Sequence, residues 1–406
     1  MLDESFIIEC ENELKEEFNN IDKLARINSK KVIDAFHNNM ISESDLYGTL
    51  GYGYNDTGRD KIDNIFAEIF KAESGLVRNQ FVSGSHAINV CLQALLRPND
   101  TLLTISGTPY DTLKEVIGIK ENNSSLISYG IKYKEIDLIN NDFDYESIKK
   151  ELENDIKVIH IQRSRGYSLR ESLDIEKIEK IIKFIKDINS KIIIFVDNCY
   201  CEFVEEKSPI EVGADICVGS LIKNLGAGIA TNGAYVVGKK ELVDLCGERL
   251  TLPGEGRDVG PSENANRKFL FGIYMAPSVV ASSLKTAILT SYALEKIGYK
   301  VTPKYNDKRC DIVELIYFNN EEEIIKYATG IQQSGAIDSH VKPIPAPMPG
   351  YEDKIIMASP SFTQGSSIEL SCDGPLRKPY VLFQQGGLTY EYGRISILNA
   401  INKLKE

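Results

Sequence analysis

Apolar and polar positions follow two rhythms along this chain, and the point where one replaces the other organises the fold. From about Glu11 to Met40, Leu14, Phe18, Ile21, Leu24 and Ala25 recur at helical spacing and form one stripe. Gly51 to Asp60 (GYGYNDTGRD) predicts a loop, and KIDNIFAEIFKAE after it a second amphipathic helix. An amphipathic arm ahead of a loop suits a reach toward a partner subunit or a plain N-terminal helical cap.

From Asn79 the rhythm changes. QFVSGSHAINVCLQALL predicts a short extended piece, a turn and a helix, and Asp100–Ser106 a strand ending at Gly107-Thr108-Pro109. Ile156–Arg165 (IKVIHIQRSR) reads as a strand with a polar exit, IEKIEKIIKFIKDI as an amphipathic helix. Lys191–Asn198 (KIIIFVDN) is too apolar for a surface strand; Ala214–Ser220 and Gly233–Gly238 complete the series. Strands alternating with helices, several of them continuously apolar, predict an α/β fold: a mostly parallel sheet with helices on both faces.

Near Met275 a long helical stretch, PSVVASSLKTAILTSYALEKIG, leads to shorter α and β units and a Pro-rich connector, Lys342–Gly350. The expected organisation is an N-terminal helical arm with a subunit-contacting loop (1–60), a large domain (61–280) and a smaller C-terminal α/β domain (281–406). A length of 406 residues is consistent with more than one core.

Composition narrows the class. Hydrophobic residues at 42% and charged residues at 26% are an ordinary soluble balance. No uninterrupted apolar run approaches bilayer-spanning length, and MLDESFIIEC lacks the basic start of a signal peptide, so a cytoplasmic location is expected. A net charge of −12 disfavours a nucleic-acid partner, which needs a basic surface. Cys199 and Cys201 are the only close pair of cysteines and have no second pair to complete a zinc site. With four histidines scattered through the chain, no metal centre is expected.

The candidate chemistry lies at strand ends, where open α/β sheets bind ligands. KIIIFVDN ends in Asp197; ADICVGS ends in Ser220, and Lys223 follows three residues later. Alone, Asp197 reads as a loop acid and Lys223 as a solvated surface lysine. Together they match pyridoxal-5′-phosphate (PLP) chemistry, which needs a lysine for the Schiff base and an acid that keeps the pyridine nitrogen protonated. Ser83-Gly84-Ser85-His86 opens a helix with small residues, as a phosphate site requires, and Ser220 could add a hydroxyl to it. His86 and Tyr110 compete to stack on the ring, while Gln162 and Arg163 could meet its ring oxygen or the substrate. The glycine-rich Gly226–Gly233 segment runs into a strand rather than opening a helix, which excludes a dinucleotide fingerprint.

The segments VDNCYCEF, GSLIKNLGAGIATNGAYVVG, FVSGSHAI, HIQRSRGYSLRESL, DSHVKPIPAPMPGYED and FTQGSSIELSCDGPLRKPYVLFQQGGLTYEY resemble the aluminium-resistance, or methionine γ-lyase-like, family of fold-type-I PLP-dependent enzymes. The resemblance runs from about Tyr47 to the C-terminus. It implies a fold-type-I PLP-dependent transferase fold, with a sheet of about seven strands in the large PLP-binding domain. It further implies Asp197 at the ring nitrogen, Lys223 as the Schiff-base lysine, and Ser220, Gly84 and Ser85 on the phosphate. A homotetramer built from dimers with shared active sites is also implied, in which Tyr54 and Arg59 would reach the phosphate of the neighbouring subunit. Leu225, Ala227 and Leu169 stand where the family pattern has Pro, Gly and Trp. For the substrate carboxylate, Arg377 and Arg394 are the candidates, each equally readable as a surface arginine.

The function expected is a PLP-dependent carbon–sulfur lyase-like enzyme acting on a small, sulfur-containing amino acid by Cα-proton abstraction and β- or γ-elimination. An aminotransferase, racemase or aldolase on the same fold stays open, as does a non-catalytic metal-tolerance protein.

Overall fold

The runs VIHIQ, IIFVD and ICVGS are apolar on both sides because both faces of their sheet are covered. The computed structural model describes residues 2–348 and 353–406; Pro349 and Gly350 of the connector lie outside the described residues. Two bodies divide the chain: Lys31–Leu221 with Ala230–Phe271, and Met1–Lys30 with Ile222–Ile229 and Gly272–Glu406.

The first body holds strands β1 (Ser74–Arg78), β2 (Thr101–Thr104), β3 (Lys132–Glu135), β4 (Val158–Gln162), β5 (Ile193–Asp197), β6 (Ile216–Ser220) and β7 (Ala234–Gly238). They form one seven-stranded sheet in the order β1-β7-β6-β5-β4-β2-β3. The strands from β3 to β6 pair in parallel, and β7 is antiparallel to both β6 and β1. The mostly parallel α/β sheet read from the sequence is therefore present. Two of its strands were not anticipated: β1 is a short SGLVR run, and β3, KYKE, is an edge strand with largely exposed side chains.

Register decides what the strands present. Phe195 lies opposite His160 and Ile216, and Asp197 opposite Gln162 and Val218. Because side chains alternate across a strand, His160, Gln162, Phe195, Asp197, Val218 and Ser220 share one face. Its apolar members pack with Ala87, Ile88, Cys91 and Leu92 of the helix Gly84–Leu95. Full burial of each large side chain contributes roughly 1.5–3 kcal/mol, so a one-residue slip, which would turn these side chains away, is strongly disfavoured. On the opposite face Tyr235 meets Phe66 and Phe70 of the helix Thr57–Phe70, with ring centroids 5.6 and 5.0 Å apart.

The second body holds β8 (Lys300–Thr302), β9 (Val313–Tyr317), β10 (Ile355–Ala358), β11 (Ser371–Pro375) and β12 (Val381–Gln385). This five-stranded sheet, ordered β10-β11-β12-β9-β8, is antiparallel throughout. Ile7, Cys10 and Leu14 from the chain's start share its core with Ile397, Ala400 and Ile401 from the chain's end. The arm read from the sequence as one helical stretch is two helices, Glu4–Glu13 and Lys15–Asn38.

The long helix spans Ala265–Lys296 and carries Pro277 in its interior, so it begins well before the stretch that announced it. Among the described residues it is the one helix long and apolar enough to cross a membrane by length and composition. Its most apolar window is 72% buried, as in the core helix of a globular protein.

Candidate active site

The carboxyl ends of β4, β5 and β6 meet the N-terminus of the helix Gly84–Leu95. Ser83 caps that helix, its hydroxyl accepting from the His86 N–H at 3.1 Å. Gly84 brings the first turn against β6: a Cβ there would stand 3.0 Å from the Ser220 Cβ, 3.6 Å from the Cys199 Sγ and 3.7 Å from the Ser220 Oγ. Ser220 is 1% exposed, and its Oγ meets no hydrogen-bond partner among the described residues. A buried hydroxyl without a partner beside first-turn N–H groups is an unfinished anion cradle. A phosphate monoester such as that of PLP fits it.

Asp197, the last residue of β5, is buried, and its Oδ1 accepts from the Cys199 N–H at 3.0 Å. The chain then turns sharply, with Tyr200 and Phe203 at φ of 72° and 62°. Such backbone is strained for bulky residues and is concentrated at functional sites. Two positions earlier on β4's side of the same face lies His160, which the sequence reading passed over. Burial lowers its pKa to about 4, against the opposing pull of the Asp197 carboxylate, and its Nε2 has no hydrogen-bond partner among the described residues. The signal for it was available: His160 precedes Gln162 by two residues on one strand, so both face the same way.

Gln162 is a brace. Its Oε1 accepts from the Tyr110 N–H at 3.0 Å and its Nε2 donates to the Ser164 carbonyl at 2.9 Å. The Tyr110 hydroxyl pairs with the Ser85 Oγ at 2.6 Å, and Thr112 also reaches Ser85, at 3.1 Å. His86 is turned toward its own turn: Nδ1 accepts from the Val82 N–H at 3.1 Å, and the ring meets Phe81 edge-on at 6.0 Å. Burial lowers its pKa. Arg163 emerges on the opposite side from Gln162, where it donates to the Asn198 Oδ1 at 2.7 Å and pairs with Glu205.

Arg59 is 3% exposed and anchors the 51–60 loop, donating to the carbonyls of Gly53 (2.8 Å), Gly260 (2.9 Å) and Asp258 (3.3 Å). Tyr54 on that loop is exposed and stacks on Tyr52 with centroids 5.6 Å apart. In the second body, Arg377 pairs with Asp353 at 2.9 Å, and Arg394 with Glu4 at 2.8 Å and Glu11 at 2.9 Å. Lys223 also belongs to that body, at the entry to the 3-10 turn Asn224–Gly226, whose Gly226 N–H donates to the Lys223 carbonyl at 3.2 Å.

The mostly parallel seven-stranded sheet, covered by helices, is that of a fold-type-I PLP-dependent enzyme. Residues 3–405 match the model of the methionine gamma-lyase family, and the chain belongs to that family. It is similar to a solved structure from Listeria monocytogenes, described as a candidate cystathionine beta-lyase involved in aluminium resistance, with 46% identity and a TM-score of 0.97 over 99% of this chain and 100% of that one. It is 44% identical to the uncharacterised protein YnbB of Bacillus subtilis over 95% of this chain and 92% of that protein. The fold alone is shared with the pyridoxal-5′-phosphate-dependent protein YhfS of Escherichia coli, at a TM-score of 0.62 and 16% identity over 94% of this chain and 97% of that one.

Proposed function

We propose that this enzyme is a PLP-dependent carbon–sulfur lyase that removes a β- or γ-substituent from a small, sulfur-containing amino acid in the cytoplasm. One observation carries the reading: the unpartnered Ser220 hydroxyl and the Gly84 helix start lie on the same sheet edge as the buried carboxylate of Asp197.

The N–H groups of the 84–95 helix, with the hydroxyls of Ser85 and Ser220, hold the phosphate. Asp197 keeps a proton on the ring nitrogen. Tyr110, fixed by Ser85 and Gln162, is favoured over His86 to face the ring, because His86 is committed to Val82. Lys223 would be the attachment point for the cofactor, and its free Nζ would take the substrate Cα proton as general base. When bound, PLP supplies an electron sink for the carbanion that proton loss leaves. The overall change would consume one water and release the substituent as a thiol, together with a keto acid and ammonia.

Tyr47, Leu50, Tyr52 and Tyr54 expose large side chains around the loop that Arg59 anchors. A patch of this kind calls for cover, and a second copy of the chain in a homotetramer is the cover proposed, with Tyr54 the residue presented to it. Burial of all eight cysteines fits a reducing compartment.

Single-turnover assay of the loaded protein tests the reaction class. A lyase releases keto acid and ammonia; stoichiometric pyridoxamine phosphate without ammonia would make it an aminotransferase instead.

A further inference from the structure

Parallel strands bring their amino ends to one edge of a sheet, opposite the edge that carries the candidate active site. Here that edge is basic. Lys157 precedes β4 and Lys191 lies just ahead of β5, and the Ile193 N–H donates to the Lys157 carbonyl at 3.1 Å, so the two lysines enter the sheet side by side. Asp215 precedes β6, and Lys239 follows β7, whose antiparallel course returns the chain to the same edge. There the Lys239 N–H donates to the Asp215 carbonyl at 2.9 Å.

The edge borders a groove of about 630 Å³, the size of a small-molecule site. Its cations are set in different ways. Asp215 is 3% exposed and grips two ammonium groups, Lys186 at 2.6 Å and Lys239 at 2.8 Å. One buried carboxylate thus positions two positive charges and neutralises only one. Lys157 and Lys191 are exposed and pair with no carboxylate among the described residues. Arg97 lies across the end of the helix Gly84–Leu95, its Nη1 donating to the Ala94 and Leu96 carbonyls, both at 2.9 Å. These five cations face Asp100, Asp215 and Glu241 along the groove, in a chain whose net charge is −12. A local positive excess in an acidic protein carries mutual repulsion that a bound anion relieves.

The remaining wall is apolar. Leu95, Ile192 and Leu242 line it and are buried, while Leu245 of the helix Lys240–Leu250 leaves 36% of its surface exposed. Ammonium groups beside an apolar wall fit a ligand with phosphates at one end and an apolar, flat body at the other.

We propose that this groove binds an organic polyphosphate with the chemistry of a nucleoside di- or triphosphate. Its phosphates lie on Lys157, Lys191 and the two lysines held by Asp215, and its base lies against Leu242 and Leu245. The site is on the opposite edge of the sheet from the Gly84–Ser220 cradle and does not rest on the PLP reading.

The test is calorimetric titration with ATP, inorganic tripolyphosphate and adenosine at about 0.15 M salt. The protein is first incubated with PLP and desalted. Two variants are compared with wild type: Lys157→Ala/Lys191→Ala, which removes exposed side chains without ion-pair partners, and Leu245→Ser, which removes the exposed part of the apolar wall. Thermal unfolding checks that both keep their fold. Wild type should bind ATP at one site and adenosine not measurably. The double lysine variant should weaken ATP about ten- to a hundredfold, since charge-assisted bonds to phosphate are lost. Leu245→Ser should weaken ATP about fivefold and leave tripolyphosphate unchanged. No ATP binding by wild type, or equal ATP affinity in wild type and the double lysine variant, overturns the inference. Tripolyphosphate that matches ATP in every variant overturns it too, because the apolar wall then plays no part.

Discussion

A methyl group on Gly84 would stand 3.0 Å from the Ser220 Cβ, tighter than nearly all contacts real Cβ atoms make. Helix start and strand end are therefore fitted to each other, and the gap between them is sized for backbone N–H groups and one hydroxyl. Gly84→Ala should leave apoprotein stability within about 1 kcal/mol, since helix propensity favours Ala while the contact opposes it. PLP affinity should fall tenfold or more by about 1.4 kcal/mol per decade, measured by titration of the apoprotein. Unchanged affinity would mean that the phosphate binds elsewhere.

How far such a relationship could be read from the sequence depends on its range. The strands ending in Asp197 and Ser220 were legible because buried parallel strands are continuous apolar runs with polar exits. The Ser83-Gly84-Ser85 helix start was legible from its own capping chemistry. The edge strand Lys132–Glu135 was not, because its exposed side chains carry no apolar alternation. Neither was the bond from Arg394 to Glu11, which joins residues 383 positions apart. Nor could residue type distinguish Gln162 from Arg163: neighbouring strand positions point to opposite faces, so one braces Tyr110 and the other pairs with Glu205.

His160 gives the fold a defined response to acid. Its folded pKa of about 4 lies below the ordinary 6.5, because burial disfavours the charged ring. The unfolded chain thus takes up a proton first as pH falls. The contribution is fully present above pH 6.5, is lost as pH drops toward 4, and levels off below; the whole amounts to about 3 kcal/mol. Urea unfolding from pH 7 to 4 should show a shallower loss of stability in His160→Gln than in wild type. Parallel curves would mean that this ring titrates normally.

Asp197→Asn preserves shape and removes the charge that holds the ring proton. Cofactor affinity should stay within about tenfold, because the phosphate cradle is untouched, while keto-acid release falls about 10²–10³-fold. Equal loss of binding and turnover would instead make Asp197 an anchor.

The central claim is that Lys223 is where the cofactor is held. The most direct measurement is the absorbance spectrum of purified protein incubated with PLP and desalted, for wild type and Lys223→Ala. Wild type should retain a band near ~420 nm, the range of lysine-bound pyridoxal phosphate. Lys223→Ala should lose that band while still binding PLP reversibly through the Gly84–Ser220 cradle. A variant that keeps the band through desalting, or a wild type that never acquires it, would contradict the claim.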